Sequence, residues 1–376
     1  MTVPVATTFE VSALPAMAVA SRVGRLREGF AAAGCDALLV TRMANIRYLT
    51  GFTGSAGVLV VLPDSVVLVT DGRYGDQAAE QLAGAGVEAE VRVAGPNAQA
   101  ALSCAASNVA RLGLEAGDVS WAAQRRYAEE GFEGSELVPT EGMVEGLRAV
   151  KDDGEIARIE AAAAIADRAL AATRPMLADH PTERELQIEL DHRMRLLGAA
   201  DVSFETIVGS GPNGAKPHAR PTGRRILDGD LVVLDFGALL DGYHSDITRT
   251  VAVGDPSPTQ ARMLEVVLAA QAAGVDAVAP GVAASSVDDA CRSLIAGAGW
   301  GDAFLHGTGH GVGLDIHEDP RVNATSTATL RPGHVVTVEP GVYLPEHGGV
   351  RIEDTLVVTP SGHRRLTNAP KDTALT

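Results

Sequence analysis

Apolar and polar positions follow two different rhythms along the chain. From about residue 22 to residue 140, apolar runs of strand length alternate with stretches of helical spacing. "SRVGRLREGFAAAG" leads into "DALLVT", then "GVLVVLP" and "SVVLVTD"; "YGDQAAEQLAGAG" leads into "VEAEVRV", and the alternation continues through "RLGLE" and "SWAAQRRYAEE". Strand and helix in turn predict an α/β layered domain. The segment "LRAVKDDGEIARIEAAAAIADRALAATRPML" breaks that rhythm, being charged at first and then alanine-rich at helical spacing, with Pro175 near its end. The domain boundary falls at residues 143–150, giving domains 1–145 and 146–376. Beyond it come a second helix, "TERELQIELDHRMRLLG", and β-like runs "DLVVLDFGALL" and "HSDITRTVAV". Two further helices ("TQARMLEVVLAAQAAGVDAV", "SSVDDACRSLIAGAG") and two late strands, "HVVTVEP" and "VRIEDTLVVT", complete the pattern. Strands paired as hairpins with helices between them predict an α+β domain with an antiparallel sheet.

Composition narrows the class. The chain has 376 residues, 46% hydrophobic and 21% charged, as expected of two ordinary globular domains. A formal charge of −17 argues against nucleic-acid partners, whose binding rests on clustered Lys and Arg. No apolar run approaches the ~20 residues that span a bilayer, so no membrane association is expected. "VSALPAMAVAS" ends in an A-x-A pattern, yet no Lys or Arg precedes Arg22 and Glu10 stands directly before the apolar run. A secretory signal needs a positive start, so this segment is expected to be a strand or loop entering the fold. Cys35, Cys104 and Cys291 fit no zinc pattern and are expected to be buried free thiols in a reducing cytoplasm.

The chemistry concentrates in acids set inside apolar runs. In "LVVLDFGALLDGYHSDITRT", Asp241-Gly242 is a two-residue hairpin turn signal. That turn sets Gly237 opposite Asp246 and makes Asp235 a diagonal cross-strand neighbour of Asp246, with Cα atoms roughly 7–8 Å apart. An unpaired carboxylate in so apolar a strand costs several kcal/mol, whereas two converging carboxylates suit a metal. Glu339 ends "VVTVE" and Glu353 interrupts "VRIEDTLVV". One buried Glu alone is more often paired with an Arg, and Arg351 is available. Four such acids together demand positive charge, and two divalent cations supply +4 against −4, with a nucleophilic hydroxide as their chemical product. The stretch "HGTGHGVGLDIHE" adds three histidines on a glycine-thinned backbone. His306 and His310 share helical spacing, but so many glycines rule out a comfortable helix. Glycine instead lets a backbone approach a crowded site. One imidazole among four carboxylates makes an oxygen-rich site that suits Mn²⁺, leaving other histidines free for proton work.

The stretches "DFGALLDGYHSDITRT", "HGTGHGVGLDIHE", "TVEPGVY", "GVRIEDT" and "GSGPNGAKPH" resemble, in order and over most of residues 150–360, the pita-bread metallopeptidases. That family includes methionine aminopeptidase, aminopeptidase P and prolidase. The resemblance implies a pita-bread C-terminal domain with two divalent ions, expected to be Mn²⁺, with Co²⁺ or Zn²⁺ as alternatives. Its implied ligands are Asp235, Asp246, His310, Glu339 and Glu353, with Asp246 and Glu353 bridging. Glu339 would also take the proton of the attacking water. His218 and His317 match histidines that stabilise the tetrahedral intermediate and assist the leaving group. His306 matches a position either in the pocket or just behind the ligands, and Tyr343 and the catalytic-group residue Arg351 match residues near the proline pocket. "NIRYLTGFTGSAG" and "LVTDGRY" are similar to the N-terminal domain of bacterial aminopeptidase P. The resemblance therefore implies an Xaa-Pro aminopeptidase acting on peptides with proline second, with prolidase as the alternative and a homodimer as the assembly. Creatinase, which works without metal, and non-catalytic peptide-binding relatives share the fold, but the complete acid set argues against both.

Overall fold

The computed structural model describes residues 9–372 and Ala374. Packing divides the chain into two units, Met17–Arg148 and a second running from Ala149 to the C-terminus together with the residues up to Ala16. Residues 11–21, expected as a strand or loop, carry two single 3₁₀ turns, Val11–Ala13 and Val19–Ser21, and no strand.

The first unit is built on six strands, β1 (Ala37–Val40), β2 (Val58–Val61), β3 (Val66–Thr70), β4 (Glu90–Val93), β5 (Arg111–Glu115) and β6 (Glu136–Thr140), in the order β4-β3-β2-β1-β5-β6. β1, β2 and β3 pair antiparallel, and the outer strands are parallel to their neighbours. Every residue of β1 and β3 is buried, which is why these runs are uninterrupted by polar residues. β6 is absent from the apolar rhythm because it carries Pro139, tolerated on an edge strand where one amide donor is not needed.

The second unit begins with a helix, Asp153–Thr173, started by a capping box between Asp152 and Glu155. Its buried stripe, Ile159, Ala162, Ile165, Ala166 and Ala169, recurs every three or four residues. The small side chains let the helix lie close on the strands that share its core, among them Val232, Leu234, Phe236 and Val251. Pro175 falls in the 3₁₀ turn Arg174–Asp179 that follows. Helices Glu183–Leu196 and Pro258–Ala277 are also opened by capping boxes, from Thr182 and Ser257. The latter packs with Ala284–Gly297 over a second core that includes Val336, Val338, Val350 and Leu356.

The strands of this unit are β7 (Asp201–Val202), β8 (Ile207–Ser210), β9 (Leu231–Phe236), β10 (Ala238–Leu240), β11 (Tyr243–His244), β12 (Ile247–Ala252), β13 (Gly309–Gly311), β14 (Glu318–Val322), β15 (Val335–Val338), β16 (Gly341–Leu344), β17 (Gly348–Arg351), β18 (Asp354–Thr359) and β19 (Gly362–Arg365). They form sheets β12-β9-β8, β11-β10-β7, β14-β13-β15-β18-β19 and β16-β17, antiparallel throughout. The Asp241-Gly242 turn is the expected one, with both residues at positive φ, 46° and 74°. Ile247 pairs with Phe236 and the Ser245 amide bonds Ala238, so Gly237 stands opposite Asp246.

One expectation is corrected. Of the four acids, only Asp235 lies inside a strand; Asp246 falls between β11 and β12, Glu339 just past β15, and Glu353 between β17 and β18. A continuous strand sends successive side chains to opposite faces. The breaks free the backbone from that alternation, so acids from different sheets can be aimed at one point.

Candidate metal centre

Asp235, Asp246 and Glu353 each bring a carboxylate oxygen to within 4.8 Å of the others. His310 and Glu339 close the group. His310 Nε2 stands 3.3 Å from Glu339 Oε1 and 3.6 Å from Asp246 Oδ2. His310 is carried on β13, whose backbone passes so near β15 that a side-chain carbon at Gly309 would meet the Thr337 carbonyl oxygen at 2.0 Å. That close approach is what the glycines of "HGTGHG" provide. The His310 Nδ1–H donates to the Gly311 carbonyl at 3.0 Å, which aims Nε2 at the acids.

Two oxygens decide the chemistry. Asp246 Oδ1 and Glu353 Oε1 are buried and have no hydrogen-bond partner among the described residues. Buried carboxylate oxygens without donors are expensive, and divalent cations remove that cost. They belong to the two acids for which a bridging role is implied. Without a cation, burial and the charges of neighbouring acids push both carboxyls well above their ordinary range. Burial also raises Asp235, against the opposing pull of Arg351. Burial acts on Glu339 in the same sense, but the His310 hydrogen bond and charge, with His306 and Arg351, outweigh it and hold the carboxyl at about 2. The donor set of four carboxylates and one imidazole fits divalent ions with a preference for oxygen.

Arg351 does not pair with Glu353. Its guanidinium sits 2.5 Å from Asp235 and also donates to the Tyr343 hydroxyl at 2.8 Å, to Thr248 and to the Pro217 carbonyl. Tyr343 therefore stands behind the site: it is 4% exposed, and its hydroxyl links Arg351 to His306 Nε2 at 2.8 Å. It is not among the residues lining the cleft. The His306 Nδ1 bonds the Gly307 carbonyl, so both ring nitrogens are occupied.

The acids open into a cleft of about 540 Å³. His218, His306 and His317 line it, with His317 edge-on to His310 at 4.4 Å between ring centres. Burial, with His310 and Arg321 beside it, lowers His317 to about 4, so it is a neutral imidazole at pH 7. The cleft wall also includes Arg220 and Arg321, residues that the sequence pattern did not single out. Arg220 is paired with Glu205 at 3.3 Å. Arg321, on β14, is exposed, and its guanidinium has no partner among the described residues. Of the cysteines, Cys35 and Cys291 are buried free thiols, but Cys104 is exposed, contrary to expectation.

A chain whose antiparallel sheets bring four carboxylates and an imidazole together at the floor of a cleft has the donor set of a metal-dependent hydrolase. The sequence matches Metallopeptidase family M24 over residues 157–360 and the Creatinase/Prolidase N-terminal domain over residues 22–150, and the chain belongs to that family. It is similar to an Xaa-Pro dipeptidase of Pyrococcus horikoshii, 35% identical over 339 residues, 90% of this chain and 94% of the relative. Among solved structures it resembles an Xaa-Pro dipeptidase from Bacillus anthracis, with a TM-score of 0.90 and 38% identity over 95% of this chain and 99% of the other. It also resembles an X-Pro aminopeptidase from Thermotoga maritima, with a TM-score of 0.83 and 34% identity over 90% and 97% of the two chains. The pita-bread fold and the metallopeptidase class read from the sequence both stand. Among the described residues, no helix is long and apolar enough to cross a membrane.

Proposed function

We propose that the chain is an Xaa-Pro dipeptidase, a prolidase, in place of the Xaa-Pro aminopeptidase suggested by its N-terminal motifs. The observation that carries this reading is Arg321. A dipeptidase has to recognise the free carboxylate that follows its proline, and that takes a cation facing the cleft. Arg351 is spent on Asp235 and Tyr343, and Arg220 is paired with Glu205. Arg321 alone of the three lines the cleft without a partner among the described residues. The dipeptidases of Pyrococcus horikoshii and Bacillus anthracis, alike over nearly the full chain, support the same reading. Free, widely spaced cysteines support a reducing compartment such as the cytoplasm.

In this reading Asp235, Asp246, His310, Glu339 and Glu353 hold two divalent ions, Mn²⁺ by the oxygen-rich donor set. When bound, the ions acidify a water and polarise the carbonyl that precedes proline. Glu339, at the edge of the cleft, takes the proton from the attacking water and passes it towards the leaving nitrogen. His218 and His317, both lining the cleft, offer hydrogen-bond donors to the oxygen on which charge develops. Arg351 and Tyr343 act from behind, fixing Asp235 and His306. Arg321 fixes the proline carboxylate and so the register of the scissile bond.

The experiment compares kcat/KM for a matched Xaa-Pro dipeptide and Xaa-Pro-Yaa tripeptide in the wild type and in Arg321→Ala. The dipeptide is expected to be preferred by the wild type. Arg321→Ala should lose on the order of ten- to a hundredfold on the dipeptide, the value of a charged hydrogen bond of about 1.5–3 kcal/mol, with little change on the tripeptide. A wild type that cleaves the tripeptide equally well or better restores the aminopeptidase reading.

A further inference from the structure

Residues 366–371, which follow β19, do not trail into solvent. They run under the strand break that carries Glu353, and a set of buried charges holds them there. Asp354, next to Glu353, is 0% exposed. Its carboxylate receives Arg249 at 3.0 Å, Lys371 at 2.6 Å and Gln271 at 3.2 Å. Arg249, itself 3% exposed, spends its planar fork on both sides of this junction. It donates to the Glu353 carbonyl and the Thr248 carbonyl on one side, and to the Ala369 and Pro370 carbonyls of the tail on the other.

The tail reaches the second bridging acid as well. Thr367 accepts from the Thr355 amide at 3.1 Å, and the Thr355 hydroxyl donates to the Asp246 carbonyl at 2.8 Å. Asp167, on the long helix, fixes the path from outside by accepting the Asn368 and Ala369 amides. The backbones of Glu353 and Asp246, whose side chains carry the two orphaned oxygens, are thus each one hydrogen bond from a group that itself bonds the tail.

From this we infer that the C-terminal segment Thr367–Lys371 is a positioning element for the metal centre, with Lys371, Arg249 and Asp354 as its positioning residues. The inference rests on the metal-centre reading above. Lys371 and Arg249 carry most of the neutralisation of one buried carboxylate, with Arg365 further off at 3.7 Å. Loss of Lys371 leaves Asp354 short of a cation and draws Arg249 from the Glu353 carbonyl towards the Asp354 side chain. Glu353 then loses the donor that fixes its backbone, and the carboxylates no longer meet at one point. Lys371 touches none of the five ligands and lies outside the cleft lining, so its effect belongs on metal affinity and on turnover, with KM nearly unchanged.

The test titrates Mn²⁺ into the chelator-stripped full chain, Lys371→Met, Lys371→Arg and a chain ending at Pro370. Binding is read by calorimetry, and thermal unfolding is measured with and without Mn²⁺. Supporting partners of metal ligands are typically worth 10–100-fold in affinity. Lys371→Met and the shortened chain are expected to weaken Mn²⁺ binding by about that factor, and Lys371→Arg to restore most of it. The metal-free melting temperature falls too, because Asp354 loses a partner, but the extra stabilisation that Mn²⁺ gives must shrink as well. A purely structural tail would lower both melting curves equally and leave the Mn²⁺ affinity unchanged, which overturns the inference alone. Absence of Mn²⁺ uptake by the wild-type chain overturns the metal-centre reading, and the inference with it.

Discussion

At the scale of the residue, the centre turns on where charge is left unbalanced. Glu339 has its amide anchored on the Thr308 carbonyl at 2.7 Å and its carboxylate against His310. In the proposed function it is both a ligand for the ions and the acceptor of the proton from the attacking water. Glu339→Gln keeps the shape and removes the charge and the proton acceptor together. Turnover should fall by roughly 10²–10⁴-fold, the usual worth of a general base, and metal content should be measured alongside. Cleavage within a few-fold of wild type would remove Glu339 from its assigned role. The four acids were legible in the sequence because a carboxylate next to an apolar strand is an anomaly that asks for a counter-charge. Arg321 was not. In "IHEDPRVNA" it looks like any surface cation, and only the fold tells which arginines already have partners. Tyr343 was legible as part of the site but not as a residue behind it, because sequence gives no direction for a hydroxyl.

At the scale of the element, the Asp241-Gly242 turn carried the most information. A two-residue turn fixes the register of everything beyond it, so the opposition of Gly237 and Asp246 could be read before any coordinate was known. The breaks around Asp246, Glu339 and Glu353 could not, since they arise where separate sheets meet and leave no mark in local periodicity. β15 supports a prediction of its own. His334, directly before that strand, is 6% exposed and close to Lys151, itself paired with Glu318 at 2.9 Å. Burial, with Lys151 and Arg331 adding to it, pushes His334 down to about 4. The unfolded chain takes up this proton near pH 6.5. The folded chain resists it until about pH 4, so the stability is fully present above pH 6.5 and is lost as the pH falls through that window. Its size is at most on the order of 3 kcal/mol. His334→Gln should flatten the fall in urea-unfolding stability between pH 6.5 and 4, and an unchanged slope would mean that other groups set it.

At the scale of the whole molecule, a chain of net charge −17 gathers four of its carboxylates at one point with Arg351 as the nearest buried cation. Such a centre is a liability for the empty fold and an asset for the loaded one. Ions that bind the folded chain and not the unfolded one stabilise it by mass action, about 2.7 kcal/mol at a concentration of 100 times the dissociation constant. Prolonged chelation should therefore do two things at once: abolish peptide hydrolysis and lower the melting temperature. Mn²⁺ or Co²⁺ should restore both. Mg²⁺ should restore them less well, because it gives up its waters reluctantly and demands near-ideal octahedral geometry, whereas this site offers an imidazole and carboxylates fixed by the fold. The loss of activity and of stability should both follow free metal, since the same two ions govern both. Elemental analysis of the chelated protein completes the experiment. Full hydrolysis by a chain shown to contain no metal would end the mechanism proposed for this centre. Restoration of stability without activity would keep the ions as structural parts and move the chemistry onto the histidines of the cleft.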